Sequence, residues 1–256
     1  MATLSRTISV LASSRIARKF FGVSLSITSR LASGLRWDPV VEIQLRPFGT
    51  DARIIFHLLN RDLANLIEVF VNRVYDKWCP IASGDLVIDC GAYVGEFTIQ
   101  AAKSVGERGL VLAFEPNPSS LRFCKANVKR NGIINVKLFE NALGDTDGRE
   151  YFQVNHVNLG ASKIVQKETQ SSVRLVSVKM LSQFLPYFEG RPVKLLKIDA
   201  EGSAVQIVRG AKDLFDRKLV QNVSAEIHPG EEGLQNLLES YGFRCSQDKS
   251  YLYAKL

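Results

Sequence analysis

Histidine is scarce in this chain: His57, His156 and His228 are the only three in 256 residues. Its four cysteines, Cys79, Cys90, Cys124 and Cys245, stand far apart and form no C-x-x-C pair. Structural zinc takes four clustered thiolate or imidazole ligands, so a zinc finger or ribbon is excluded and no metal is assigned. The cysteines are expected as reduced thiols, most of them buried as small hydrophobes in a reducing compartment. No uncharged apolar run approaches the ~18 residues that a membrane-spanning helix needs. Acids are absent from residues 1–37, which carry Arg6, Arg15, Arg18, Lys19, Arg30 and Arg36. Beyond that stretch 27 cations face 26 anions, so the formal charge of +7 belongs almost entirely to the N-terminus. A near-neutral body gives no strong nucleic-acid signal and leaves only a local patch open.

The acid-free start has three readings: a disordered or partner-binding tail, a cleaved targeting segment, or a basic surface anchor. Leu4, Ile8 and Leu11 share a helical face, but Arg15, Arg18 and Lys19 fall on the same side and interrupt it. A cytoplasmic protein is expected, or an organelle-matrix one if residues 1–38 are a transit peptide.

What is present is concentrated between Asp85 and Pro116. An apolar run, Leu86 to Ile88, delivers Asp89, then Gly91 and Gly95 within a turn, then a helix-like stretch, and a second apolar run ends at Glu115. A strand, glycine turn, helix and acid-tipped strand bind ribose-bearing ligands at the carboxyl edge of a parallel sheet. The spacing is D-x-G-x-x-x-G, and Asp89 stands where the dinucleotide fingerprint has its first glycine. A carboxylate there opposes a pyrophosphate, which argues against a nicotinamide-dependent oxidoreductase. Taken alone, the glycines are also consistent with an ordinary tight turn.

Elsewhere the pattern predicts a strand over Val40 to Leu45, a helix over Arg61 to Trp78, and a helix from Pro118 to Asn131 capped by Asn117. The cations Arg122, Lys125, Lys129 and Arg130 read as its solvated face. Strands are predicted at Val136 to Phe139, Val173 to Val178, Pro192 onward to Asp199, Val220 to Glu226, Phe243 to Cys245 and Tyr251 to Ala254. Residues 150–178 suggest a hairpin or irregular insertion, and Leu181 to Phe188 a short helix. Strands alternating with helices give an α/β fold with a mostly parallel sheet covered on both faces. The segment PVKLLKIDAEGSA places Asp199 and Glu201 at one strand end, and EIHP places Glu226 and His228 at the next. Asp199, Glu201 and His228 could supply a general base; a magnesium- or manganese-type site or simple helix capping are the other readings.

Four motifs in order carry a resemblance: Asp89 to Gly95, Ala113 to Asn117, Asn141 to Asp145, and Lys197 to Gly202. Together with Arg61 to Asp76 upstream they resemble the FkbM-type family of S-adenosylmethionine-dependent methyltransferases over roughly residues 60–215. The resemblance implies a class I methyltransferase, Rossmann-like fold, a seven-stranded mostly parallel sheet whose last strand is inserted antiparallel. The chain is expected to divide into residues 1–38 as a basic tail or targeting segment, 39–82 as a lead-in strand and helix, and 83–256 as the methyltransferase domain. Donor-binding residues are then Asp89, Gly91, Ala92, Gly95, Glu115, Asn117, Asn141 and Ala142. Catalytic residues are Asp199, Glu201 and His228. The cofactor is S-adenosyl-L-methionine, and the acceptor expected is a hydroxyl of a sugar, glycolipid or natural product. A small-molecule or glycan partner follows, with a homodimer left open. A catalytically inactive donor-binding module and an RNA or protein methyltransferase are the alternatives; the N-P-P-Y tetrad of amino-group methylators is absent. The family's usual G-A-E is Gly202-Ser203-Ala204 here, so one expected carboxylate is missing on the substrate side.

Overall fold

A computed structural model describes residues 40–45, 51–57, 65–155, 162–165 and 172–256. The N-terminal segment 1–38, residues 46–50 and His156 lie outside the described residues. Strands β1 (Val40–Leu45) and β2 (Ala52–His57) pair antiparallel. The main sheet contains β3 (Leu86–Cys90), β4 (Leu110–Phe114) and β5 (Val136–Phe139). A smaller sheet follows from β6 (Ala142–Leu143), β7 (Gly148–Gln153), β8 (Lys163–Val165) and β9 (Val173–Lys179), in the order β6-β9-β7-β8. The chain then returns to the main sheet with β10 (Val193–Ile198), β11 (Asn222–Glu226), β12 (Arg244–Asp248) and β13 (Tyr251–Lys255).

The seven strands run β12-β13-β11-β10-β3-β4-β5, and β13 is antiparallel to both of its neighbours while the others are parallel. The insertion of the last strand is therefore as the resemblance implies. Every residue of β3 and β4 is buried, as a parallel sheet covered on both faces requires. Alternation divides them between two cores. Val87, Val111 and Leu195 pack with Phe97, Ile99 and Cys124 from helices α1 (Glu96–Val105) and α2 (Pro118–Arg130). Leu86, Ile88, Leu112 and Leu196 pack with Ile207, Leu214 and Leu238 from α3 (Ala204–Gly210), α4 (Lys212–Asp216) and α5 (Leu234–Ser240).

Three expectations need revision. The helix expected through Trp78 is a π-helical turn over Ile67–Asn72, ended by Arg73 in the left-handed region at φ 51°; residues 61–64 lie outside the described residues. Arg73 Nε then donates to Asp76 Oδ1 at 3.1 Å, and the turn rolls Val74 and Tyr75 into the core. The strand expected from Val220 begins at Asn222, with Val220 making only an isolated bridge to Val193. Residues 150–178 are not a lone hairpin, because β9 pairs with both β7 and β6. Leu181–Phe188 is helical as expected, in the tighter 3-10 form. Among the described residues no helix is long and apolar enough to cross a membrane.

Candidate active site

A cavity of about 300 Å³ opens at the carboxyl edge of β3, β4, β10 and β11, where this class of sheet places ligands. It is floored by the turn after β3. Gly91 adopts φ 78°, and a Cβ there would sit 1.8 Å from the Asp199 carbonyl oxygen. The glycine thus lets the turn press against the end of β10. Gly95 adopts φ 97° at the start of α1, where a Cβ would meet Cys124 Sγ at 2.9 Å. Helix α1 consequently packs close to α2. Tyr93, between them, is itself left-handed at φ 51°.

The residues expected to hold the donor fall into two groups. Gly91, Ala92, Glu115, Asn141 and Ala142 line the cavity. Asp89, Gly95 and Asn117 do not; they support those that do. Asp89 is fully buried, accepts from Thr98 Oγ1 at 2.6 Å, and lies 2.9 Å from Lys197 Nζ. Asn117 caps α2, its Oδ1 accepting from the Ser119 N–H at 3.1 Å. Its own backbone N–H donates to Glu115 Oε1 at 2.8 Å, and the Tyr93 N–H donates to Glu115 Oε2 at 2.8 Å. Two backbone donors fix the carboxylate, and each oxygen retains acceptor capacity beyond that one bond in a residue that lines the cavity. Burial pushes the Glu115 pKa up to about 7 against the pull of those two N–H groups.

Opposite Glu115 lie Asp199, Glu201 and His228, all three lining the cavity. His228 Nε2 is 3.6 Å from Asp199 Oδ1 and Nδ1 is 3.6 Å from Glu201 Oε2. Asp199, opposed by burial and then reinforced by Glu201, raises the His228 pKa to about 9. The imidazole is therefore charged at neutral pH. Asp199 is held below the usual carboxylate range: burial opposes this, but Lys197, His228 and Tyr75 outweigh it. Glu201 sits at φ 48°, and burial raises its pKa.

Three further residues belong to this edge. Tyr75 donates from its hydroxyl to Asp199 Oδ2 at 2.8 Å and approaches Glu226 Oε2 at 3.5 Å. Glu226, expected at the edge but given no role by the sequence, has its pKa pushed to about 7 by burial and then by Asp199. Lys197 is buried beneath the turn. For Lys197 the sequence offers only that residues 195, 197 and 199 of a strand share one face. For Tyr75, which meets Asp199 across 124 residues, it offers nothing.

Asp199, Glu226 and His228 hold donor atoms within 4.8 Å of one another, a set that an oxygen-preferring divalent cation accepts. The same groups are also tied to one another and to Tyr75: His228 Nε2 lies 3.6 Å from Asp199 Oδ1 and the Tyr75 hydroxyl 2.8 Å from Asp199 Oδ2. Buried Glu231 accepts from the Ala204 N–H and, at 2.8 Å, from the His228 N–H, so it caps α3 and pins the His228 loop.

A sequence model of the methyltransferase FkbM domain matches residues 89–245. Methyltransferase 1 of Beauveria bassiana is 24% identical over 204 residues, covering 71% of this chain and 81% of that protein. Methyltransferase sdnD of Sordaria araneosa is 27% identical over 236 residues, covering 77% of this chain and 89% of that one. Among solved structures, the methyltransferase FkbM of Methylobacillus flagellatus superposes with a TM-score of 0.50 at 16% identity. That alignment covers 67% of this chain and 43% of the longer solved chain, and it bears on the fold alone.

Proposed function

The chain belongs to the FkbM family of S-adenosylmethionine-dependent methyltransferases, and we propose that it methylates a hydroxyl oxygen of a sugar, glycolipid or natural product. The residues present fit the donor. A cavity of about 300 Å³ lies at the lower end of the range for small-molecule sites, ~300–1,000 Å³. Glu115 offers the free lone pairs of a fixed carboxylate to a ribose diol. The missing Cβ of Gly91 keeps the turn low, and Glu68, Glu96, Asp199, Glu201 and Glu226 give the lining an acidic balance that favours a cation.

When bound, the donor supplies an electrophilic methyl group on a sulfonium, which leaves as a neutral thioether. The protein then has two tasks: alignment, which accounts for much of the rate in such transfers, and removal of the hydroxyl proton as the new O–C bond forms. The observation that carries the oxygen reading is the carboxylate edge of Asp199, Glu201 and Glu226 facing Glu115 across the cavity. Glu201 and Glu226, whose pKa values burial raises, are stronger bases than Asp199. His228, charged at neutral pH, is suited to stabilising negative charge developing on the acceptor oxygen and not to taking the proton.

The same acidic lining argues against an RNA acceptor, whose phosphates it would repel. The test is methyl transfer from labelled S-adenosylmethionine into glycan, lipid and natural-product extracts. Glu201→Gln and Glu226→Gln should each lower turnover at saturating donor by about tenfold to a hundredfold. Turnover unchanged in both variants contradicts the assignment of the base. Donor binding without any transfer favours an inactive binding module.

A further inference from the structure

Among the described residues, Lys197 is the one lysine lining this cavity, and the transfer chemistry makes no direct use of it. Its side chain is 3% exposed. Nζ lies 2.9 Å from Asp89 Oδ1, donates to the Gly91 carbonyl at 2.7 Å and to the Cys90 carbonyl at 3.3 Å, and stands 3.9 Å from Asp199 Oδ2. It also sits 5.1 Å from the centre of the Tyr75 ring, whose hydroxyl bonds the same Asp199 oxygen. Of the ammonium's three hydrogens, two go to the carbonyls, and Asp89 and Asp199 are held by charge.

The strand register explains the arrangement. Lys197 is aligned with Asp89 in the parallel pairing of β10 and β3, so the amine emerges beside the turn on one strand and two residues before Asp199 on its own. A core ion pair would need only Asp89. The remaining contacts go to Gly91, which floors the cavity, and to Asp199, which faces the acceptor side. We propose that Lys197 is a positioning residue that ties the donor-binding turn to the acceptor-side carboxylate, fixing their separation and keeping Asp199 ionised. Misplacement of reacting groups by even an ångström is costly in transfer reactions, and no other side chain among the described residues bonds the carbonyl oxygens of Cys90 and Gly91 together.

This proposal rests on the cavity being the donor site, and binding of S-adenosylhomocysteine to the unaltered chain checks that separately. Lys197→Met alone would strand Asp89 as a buried, uncompensated charge, so the informative variant is Asp89→Asn with Lys197→Met, which removes both charges. Calorimetry with S-adenosylhomocysteine and carbon-13 titration of the Asp199 carboxylate give two readouts independent of turnover. The expected result is a folded double variant whose affinity falls about tenfold or more and whose Asp199 titrates roughly one unit higher. Lys212→Met, which removes an exposed partner of Asp216, should alter neither. A folded double variant with unaltered affinity and unaltered Asp199 titration overturns the proposal and leaves the donor site standing. Failure of the unaltered chain to bind overturns both. If the double variant does not fold, nitrogen-15 spectra of the unaltered chain decide: the Lys197 ammonium signal must move when S-adenosylhomocysteine is added, and an unmoved signal overturns the proposal.

Discussion

Glu115, proposed to hold the donor's ribose diol, should make donor affinity depend on pH. Its carboxylate is buried, held by the Tyr93 and Asn117 N–H groups, and raised to about 7 by burial. A ribose diol donates hydrogen bonds, so binding requires the ionised form. A pKa of about 7 means that roughly nine-tenths of the groups are ionised at pH 8 and roughly one-tenth at pH 6. Affinity for S-adenosylhomocysteine should therefore weaken about tenfold from pH 8 to pH 6, or ~1.4 kcal/mol. Glu226 and His228 also titrate near this range, so the measurement is the difference between the native chain and Glu115→Gln. The variant loses the charge, binds about tenfold to a hundredfold more weakly at pH 8 as a charged hydrogen bond is lost, and should show a flatter profile by that tenfold. Calorimetry at both pH values reads it directly. Equal pH dependence in the native chain and Glu115→Gln would refute the assignment of Glu115 to the diol.

Other outcomes follow from the same contacts. Gly91→Ala places a methyl group against the Asp199 carbonyl at a left-handed backbone position, so urea denaturation should show a loss of about 3 kcal/mol or a failure to fold. Tyr75→Phe removes the hydroxyl that bonds Asp199 and should cost about 1 kcal/mol in the same assay, with Asp199 titrating higher. Asp199→Asn removes the carboxylate that most raises His228, so the His228 imidazole should titrate below about 9, nearer its ordinary ~6.5. With three histidines in the chain its proton signal is readily resolved, and an unmoved midpoint would contradict the Asp199–His228 pairing.

The strand, turn and acid between Leu86 and Glu115 were legible because each is a local signal: an apolar run, glycines at a turn, an acid before Pro116. Asn117 as a cap was equally local, and the structure bears it out. What the sequence misread depended on contacts far apart in the chain. The lead-in helix ends at Arg73 because its backbone turns left-handed there and its guanidinium meets Asp76, and apolar spacing carries no trace of this. Strand β2 was missed, although Ala52, Ile54 and Phe56 alternate toward the core. The smaller sheet was obscured because β9 leaves Arg174 and Leu175 exposed and so alternates weakly. At the site, Gly95 and Asp89 matched a motif for ligand contact yet work one layer beneath the cavity. A motif fixes which residue types a turn needs and does not distinguish those that touch a ligand from those that hold the turn. Lys197 illustrates the converse: a lysine within an apolar strand is informative only once Asp89, 108 residues earlier, is known to face it.

The central claim is methyl transfer from S-adenosylmethionine to a hydroxyl oxygen at the carboxylate edge. Its most direct test incubates the purified chain with trideuteromethyl-labelled donor and a sugar, glycolipid and natural-product extract, followed by mass spectrometry and fragmentation of the labelled products. The account predicts a product carrying one trideuteromethyl group on oxygen, strongly diminished in Glu201→Gln and Glu226→Gln. Label found on nitrogen or carbon, or on RNA or protein instead of a small molecule or glycan, would contradict it.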